Sequence, residues 1–139
     1  MTPEQREIVK DFVSRSDAFN LCNGLELTDV GEGTAVIEVE LAPHNLNSWN
    51  TPHGGLLFAM ADVACGVAAV SVRMEQCMTA SASIDYIAAA GSTGRLRAEA
   101  RVLRAGSRLA FCGAEVRDQR GTLLVRLNTT MCYMGRKLD

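Results

Sequence analysis

Two periods of apolar residues divide this chain. Near its start, Ile8, Val9, Phe12 and Val13 recur at helical spacing. Thr2, Pro3 and Gln5 ahead of them predict the N-cap, first turn and capping box of a short helix running to about Ser16. The period then falls to two. From Ala35 to Leu41 apolar side chains alternate with Glu38 and Glu40, as in a half-exposed strand, and Leu25 to Val30 is expected to pair with it through Gly31-Glu32-Gly33. Between Gly54 and Val72 nearly every position is Leu, Ala, Val, Met or another small apolar residue. A helix apolar on all sides must be surrounded by protein, and Ala59, Ala61, Ala64, Gly66, Ala68 and Ala69 keep this one thin. Met78 to Ile87, Arg95 to Leu103, Leu109 to Asp118 and Thr122 to Met134 then read as four strands in a meander. Hairpin turns are expected at Ala105-Gly106-Ser107 and Gln119-Arg120-Gly121.

This order predicts one α+β domain over residues 1–139: an antiparallel sheet wrapped around one long central helix, with a short N-terminal helix. Composition narrows the function more than the fold. A formal charge of -2 gives no electrostatic reason to expect nucleic acid or an anionic membrane as partner. The longest apolar run, Gly54 to Val72, is interrupted by Asp62, so no membrane span is expected. The first ten residues are polar and charged, unlike a signal peptide. Five cysteines without a C-x-x-C pair read as reduced thiols, so the expected location is cytoplasmic. His44 and His53 lack neighbours that would complete a metal-ligand set, and no metal or separate cofactor is expected.

The sequence has no G-x-S-x-G elbow, Walker loop or dinucleotide fingerprint. Asp62 stands out instead, as the only charged residue between His53 and Arg73, inside the apolar helix. An unpaired buried carboxylate is costly, and burial raises its pKa toward the range of a general base at neutral pH. An Asp bonded to nearby backbone or a serine to lock the packing satisfies the same position, and position alone does not choose. The loop from Asn47 through Trp49, Asn50 and Pro52 to His53-Gly54-Gly55 feeds the helix N-terminus, where free N–H groups and the dipole favour negative charge. A thioester carbonyl on the Gly54 N–H would develop its oxyanion there; an ordinary glycine-rich helix cap is the plainer reading of the loop.

Taken together, Asn47, His53-Gly54-Gly55 and Asp62, spaced N-x5-HGG-x6-D, resemble the phenylacetate-degradation (PaaI-like) branch of the hotdog-fold acyl-CoA thioesterases. The resemblance covers nearly the whole chain, including Ser83-Ile84-Asp85-Tyr86 and the Ala105-to-Arg108 and Asp118-to-Gly121 turns. It implies hydrolysis of acyl-CoA to free CoA and a carboxylic acid, with coenzyme A entering as part of the substrate. Asp62 would be base or nucleophile, and the Gly54 N–H would polarise the carbonyl. Asn47 and His53 would position the carbonyl or leaving sulfur, and Thr79 would stand near the attacking water. Gly55, Arg104, Ser107 and Arg108 are the candidate contacts to the substrate, the two arginines facing its phosphates. Two departures touch this pattern: Asn50 stands where the family usually has Gly, and Ile87-Ala88-Ala89-Ala90 replaces a basic residue and a proline.

Gly54 and Asp62 lie eight residues apart, roughly 12 Å along one helix, too far to act on one carbonyl carbon. Two antiparallel copies across a two-fold axis would bring Asp62 of one beside Gly54 of the other. A homodimer with two composite sites is therefore expected, with dimers pairing into a homotetramer. Two other classes fit less well. A hotdog-fold dehydratase pairs a catalytic His with an acid in a different setting. A non-catalytic acyl-CoA sensor would need a DNA-binding module that the 23 residues before Gly24 are too few to supply.

Overall fold

The capping box read from the first five residues is formed. The Gln5 N–H donates to Thr2 Oγ1 at 3.1 Å and the Thr2 N–H to Gln5 Oε1 at 2.9 Å. They open α1 (Pro3–Ser16), which buries Val9 and Val13. Asp17 then caps a short helix, α2 (Ala18–Asn23), by accepting the Asn20 N–H at 3.0 Å. The sequence reading passed over α2 because six residues are fewer than two turns, too few to display a period. The computed structural model describes residues 1–139.

Strands β1 (Glu26–Gly31) and β2 (Thr34–Glu40) form the expected hairpin, with Gly33 at φ 78 where a side chain would strain the turn. After a 3-10 turn at Pro43–Asn45 come α3 (Gly54–Arg73) and four strands: β3 (Glu75–Tyr86), β4 (Arg95–Ala105), β5 (Leu109–Arg117) and β6 (Leu123–Lys137). These four are not one meander. The sheet order is β1-β2-β4-β5-β6-β3, so β4, β5 and β6 alone follow one another, and β3 pairs with β6 at the far edge. The stretch from Ile87 to Gly94 carries the chain back past β6 and β5, three strand spacings in all. Fully extended, it reaches about 26 Å, against about 14 Å for three strand spacings. A long connection without a tight-turn signal leaves β3 free to leave its sequence neighbour.

The sheet curls around α3. Ile37, Val39, Leu96, Leu127 and Met131 point inward from the strands onto Met60, Ala61, Ala64, Cys65 and Ala68, all essentially without exposure. A buried methyl group is worth only about 0.8 kcal/mol. The alanines therefore contribute less by their own area than by letting larger strand side chains reach the helix. Hydrogen bonds tie the helix to its shell: Ser71 Oγ accepts the Gly33 N–H at 2.8 Å, and the Tyr133 hydroxyl donates to the Ala69 carbonyl at 2.8 Å. Although α3 is long and apolar enough to cross a bilayer, most of its surface is covered by the chain's own sheet. The cover is incomplete, contrary to the expectation of burial on every side. Ala59, Asp62, Val63 and Gly66 form a half-buried strip, because the sheet and α1 together do not close around the helix.

Candidate active site

The loop ahead of α3 is organised by one side chain. Asn47 Oδ1 accepts the Trp49 N–H at 3.0 Å, the Thr51 N–H at 3.1 Å and the Thr51 hydroxyl at 3.1 Å. Asn50 takes φ 62, the left-handed conformation that Asn tolerates better than other non-glycine residues. The His53 N–H then donates to the Asn45 carbonyl at 2.9 Å, which fixes the helix entry. Asn47 thus spends its carbonyl oxygen on the loop, while its Nδ2 makes no hydrogen bond within the chain.

His53 is the N-cap of α3. Its Nδ1 accepts the Gly55 N–H at 2.8 Å, which puts the proton of the neutral ring on Nε2, on the exposed side. A side chain would be tight at Gly55 and in ordinary contact at Gly54. A Cβ on Gly55 would stand 3.0 Å from His53 Nδ1, and one on Gly54 would stand 3.4 Å from the Tyr86 hydroxyl. The Gly54 carbonyl accepts the Tyr86 hydroxyl at 2.8 Å, while the Gly54 N–H, at the positive end of the helix dipole, finds no acceptor in the chain.

Two turns further on, Asp62 Oδ1 accepts the Thr79 hydroxyl at 2.7 Å. Burial pushes the Asp62 carboxyl above its ordinary range, and the Thr79 hydroxyl draws it part of the way back. Both residues line a groove of about 610 Å³ between α1–α2 and α3–β3, walled by Val9, Phe12, Val13, Val67 and Met131. Cys77 lines the same groove, but burial pushes its thiol up to about 12, so it stays protonated near neutral pH. Asp17 and Asp62 are the carboxylates of the groove; Asp17 is taken up as the cap of α2, and Asp62 lies on α3 beside Thr79. Asn20 also lines the groove, 2% exposed, with its Oδ1 unpartnered. The sequence reading did not single it out, since a polar residue in a short helix gives no signal of its own.

One chain therefore brings together Asp62 with Thr79, and separately His53, Gly54 and Gly55 with Tyr86. It does not join the two groups, which remain roughly 12 Å apart along α3. Arg104, Ser107 and Arg108 are exposed at the β4–β5 turn. That turn meets the C-terminal end of α3, where Arg73 Nη1 lies 3.5 Å from the Gly106 carbonyl. It is about 28 Å from Gly54 by helix rise. The three residues stand apart from both groups within a single chain. Tyr86 enters the sequence reading only within the Ser83-to-Tyr86 segment, where no local pattern tells that its hydroxyl meets Gly54.

The profile of the Thioesterase superfamily matches residues 50–125, more than half of the chain and the stretch from the loop through β3 into β6. The acyl-coenzyme A thioesterase PaaI of Escherichia coli is 27% identical over 104 residues, covering 75% of this chain and 74% of that one. The solved E. coli PaaI protein superposes with a TM-score of 0.91 over 98% of both chains, at 21% identity. A conserved protein of Pseudomonas aeruginosa gives a TM-score of 0.82 at 33% identity, over 87% of this chain and 99% of that one. A hypothetical thioesterase protein of Streptococcus pneumoniae, solved with coenzyme A, gives 0.76 at 22% identity, over 81% of this chain and 88% of that one. Sequence profile and sheet-around-helix topology agree, and the chain belongs to the thioesterase superfamily as an enzyme of the hotdog fold.

Proposed function

We propose that this chain hydrolyses acyl-CoA thioesters in a homodimer whose two sites each combine Asp62 and Thr79 of one subunit with the His53-Gly54-Gly55 helix start of the other. One observation carries the reading: a half-buried carboxylate with a raised pKa lies in a groove, too far from its own chain's free Gly54 N–H to share a carbonyl with it. The half-buried strip on α3 at Ala59, Asp62, Val63 and Gly66 is the face on which a second copy of the helix would lie. Coenzyme A as the carrier is supported by the E. coli relative and the coenzyme A complex of the streptococcal one. Arg104, Ser107 and Arg108 reach the site only from a neighbouring subunit, and are proposed as contacts to the coenzyme A portion.

In the base route, Asp62 takes a proton from water as its oxygen attacks the thioester carbon. The tetrahedral oxyanion sits on the Gly54 N–H; its collapse breaks the C–S bond and expels the CoA thiolate, which takes up a proton. The Thr79 hydroxyl holds the carboxylate, while His53 Nε2–H and Asn47 Nδ2 are the donors available to carbonyl or sulfur. In the direct route the same carboxylate attacks the thioester carbon, the C–S bond breaks to release the CoA thiolate and leave a mixed anhydride, and water then cleaves the anhydride to the acid and free Asp62. No metal or further cofactor enters either route.

The test is thiol release across a panel of acyl-CoAs, aromatic, medium-chain and hydroxylated. Wild type is expected to release thiol from at least one, and Asp62→Asn to lose 100-fold or more in kcat, about 3 kcal/mol of transition-state stabilisation. Full activity in that variant would remove Asp62 from its role. Single turnover in heavy-oxygen water bears on the routes, since label in the Asp62 carboxylate arises only by direct attack.

A further inference from the structure

The N-terminal turn of α3 begins with two adjacent glycines, the least restrained residues available, at the end of a helix where fraying is greatest. An oxyanion donor has to be held within about 0.5 Å of its working position. What holds this one comes from outside the helix. The Tyr86 hydroxyl donates to the Gly54 carbonyl at 2.8 Å, and the ring lies so close that a Cβ on Gly54 would touch it. The Gly55 N–H of the same peptide is held by His53 Nδ1 at 2.8 Å. The preceding peptide is held through the His53 carbonyl, which accepts the Leu56 and Leu57 N–H groups at 3.0 and 3.2 Å. Both peptides flanking the Gly54 Cα are thereby fixed, and Tyr86 supplies the one restraint that comes from another element.

Resting on the thioester reading above, we infer that Tyr86 is a positioning residue: its phenol fixes the first turn of α3 so that the Gly54 N–H meets the oxyanion. Tyr86 stands at the end of β3, and Thr79, which hydrogen-bonds Asp62, stands seven residues before it in the same strand. One strand therefore sets the direction of both the acid and the oxyanion donor that each chain contributes. The ring itself is 55% exposed, so its hydroxyl can be removed without unpacking the core.

The experiment is steady-state kinetics of the full-length Tyr86→Phe variant with an acyl-CoA that wild type hydrolyses. We expect kcat to fall about 10-fold with KM within 2-fold of wild type. Thermal midpoint and binding of a non-hydrolysable acyl-CoA thioether should stay unchanged. Retention of wild-type kcat overturns the inference, and so does an effect confined to KM, which would place the phenol on the ground-state substrate. The parent reading is judged separately by Asp62→Asn. A dead Asp62→Asn beside a fully active Tyr86→Phe rejects the positioning role alone, whereas a wild-type chain that releases no thiol rejects both.

Discussion

Asp62 keeps one carboxylate oxygen on the Thr79 hydroxyl, with burial and hydrogen bonding pulling its pKa in opposite directions. Replacing Thr79 by Val keeps the branched shape but removes the bond that favours the ionised form, so burial acts alone and the Asp62 pKa rises further. Activity by either route needs the carboxylate ionised, so it falls as pH drops through that pKa. The acid limb of the pH profile of kcat is expected at higher pH in Thr79→Val than in wild type. A limb that stays put or moves down would contradict the role given to Thr79. The isolation of Asp62 within an apolar run was legible from the sequence, but its place on the half-buried strip of α3 was not, because it depends on where the sheet and α1 stop. Its partner was legible only through the family resemblance. Tyr86 was not, since strand alternation gives the side a residue faces but not which atom it meets.

At the scale of elements, the start of α3 offers a clean way to remove one donor. Gly54 is the first helical residue, where Pro is tolerated, and His53 before it already has the extended conformation (φ -62, ψ 137) that a following proline requires. Gly54→Pro deletes the N–H proposed to meet the oxyanion and little else, apart from a close contact with Tyr86 at 3.4 Å. Loss of a single oxyanion donor costs about 100- to 1,000-fold in kcat. That loss is expected with the circular dichroism spectrum unchanged, and near-wild-type turnover would remove the Gly54 N–H from the chemistry. The helices and hairpins that carry these groups were largely readable, because caps, turns and periods are local. The place of β3 was not. Its pairing with β6 is decided by the reach of the Ile87–Gly94 connection and by how the sheet closes on α3, neither of which is written in a local pattern.

For the molecule as a whole, the proposed dimer is part of the chemistry rather than a stabilising addition, because Gly54 and Asp62 of one chain are too far apart to share a carbonyl. Asp62→Asn and Gly54→Pro are each expected to be inactive as homodimers. A heterodimer of the two has one site with both lesions and one with neither. Co-expressed in equal amounts, they should recover about a quarter of wild-type activity, since half of the dimers are mixed and each mixed dimer has one intact site. No recovery, with mixed dimers demonstrated by tagging, would return both groups to a single-chain site.

If the proposed dimer is the active unit, β3 carries Thr79 and Tyr86 toward groups of two different active centres, and damage to it spreads in an unusual way. In the proposed dimer, a lesion at the Gly54 donor of one subunit spoils a single centre and spares the other. Disturbing β3 in one subunit alone weakens the acid of one centre and the oxyanion donor of its twin, so neither is left whole.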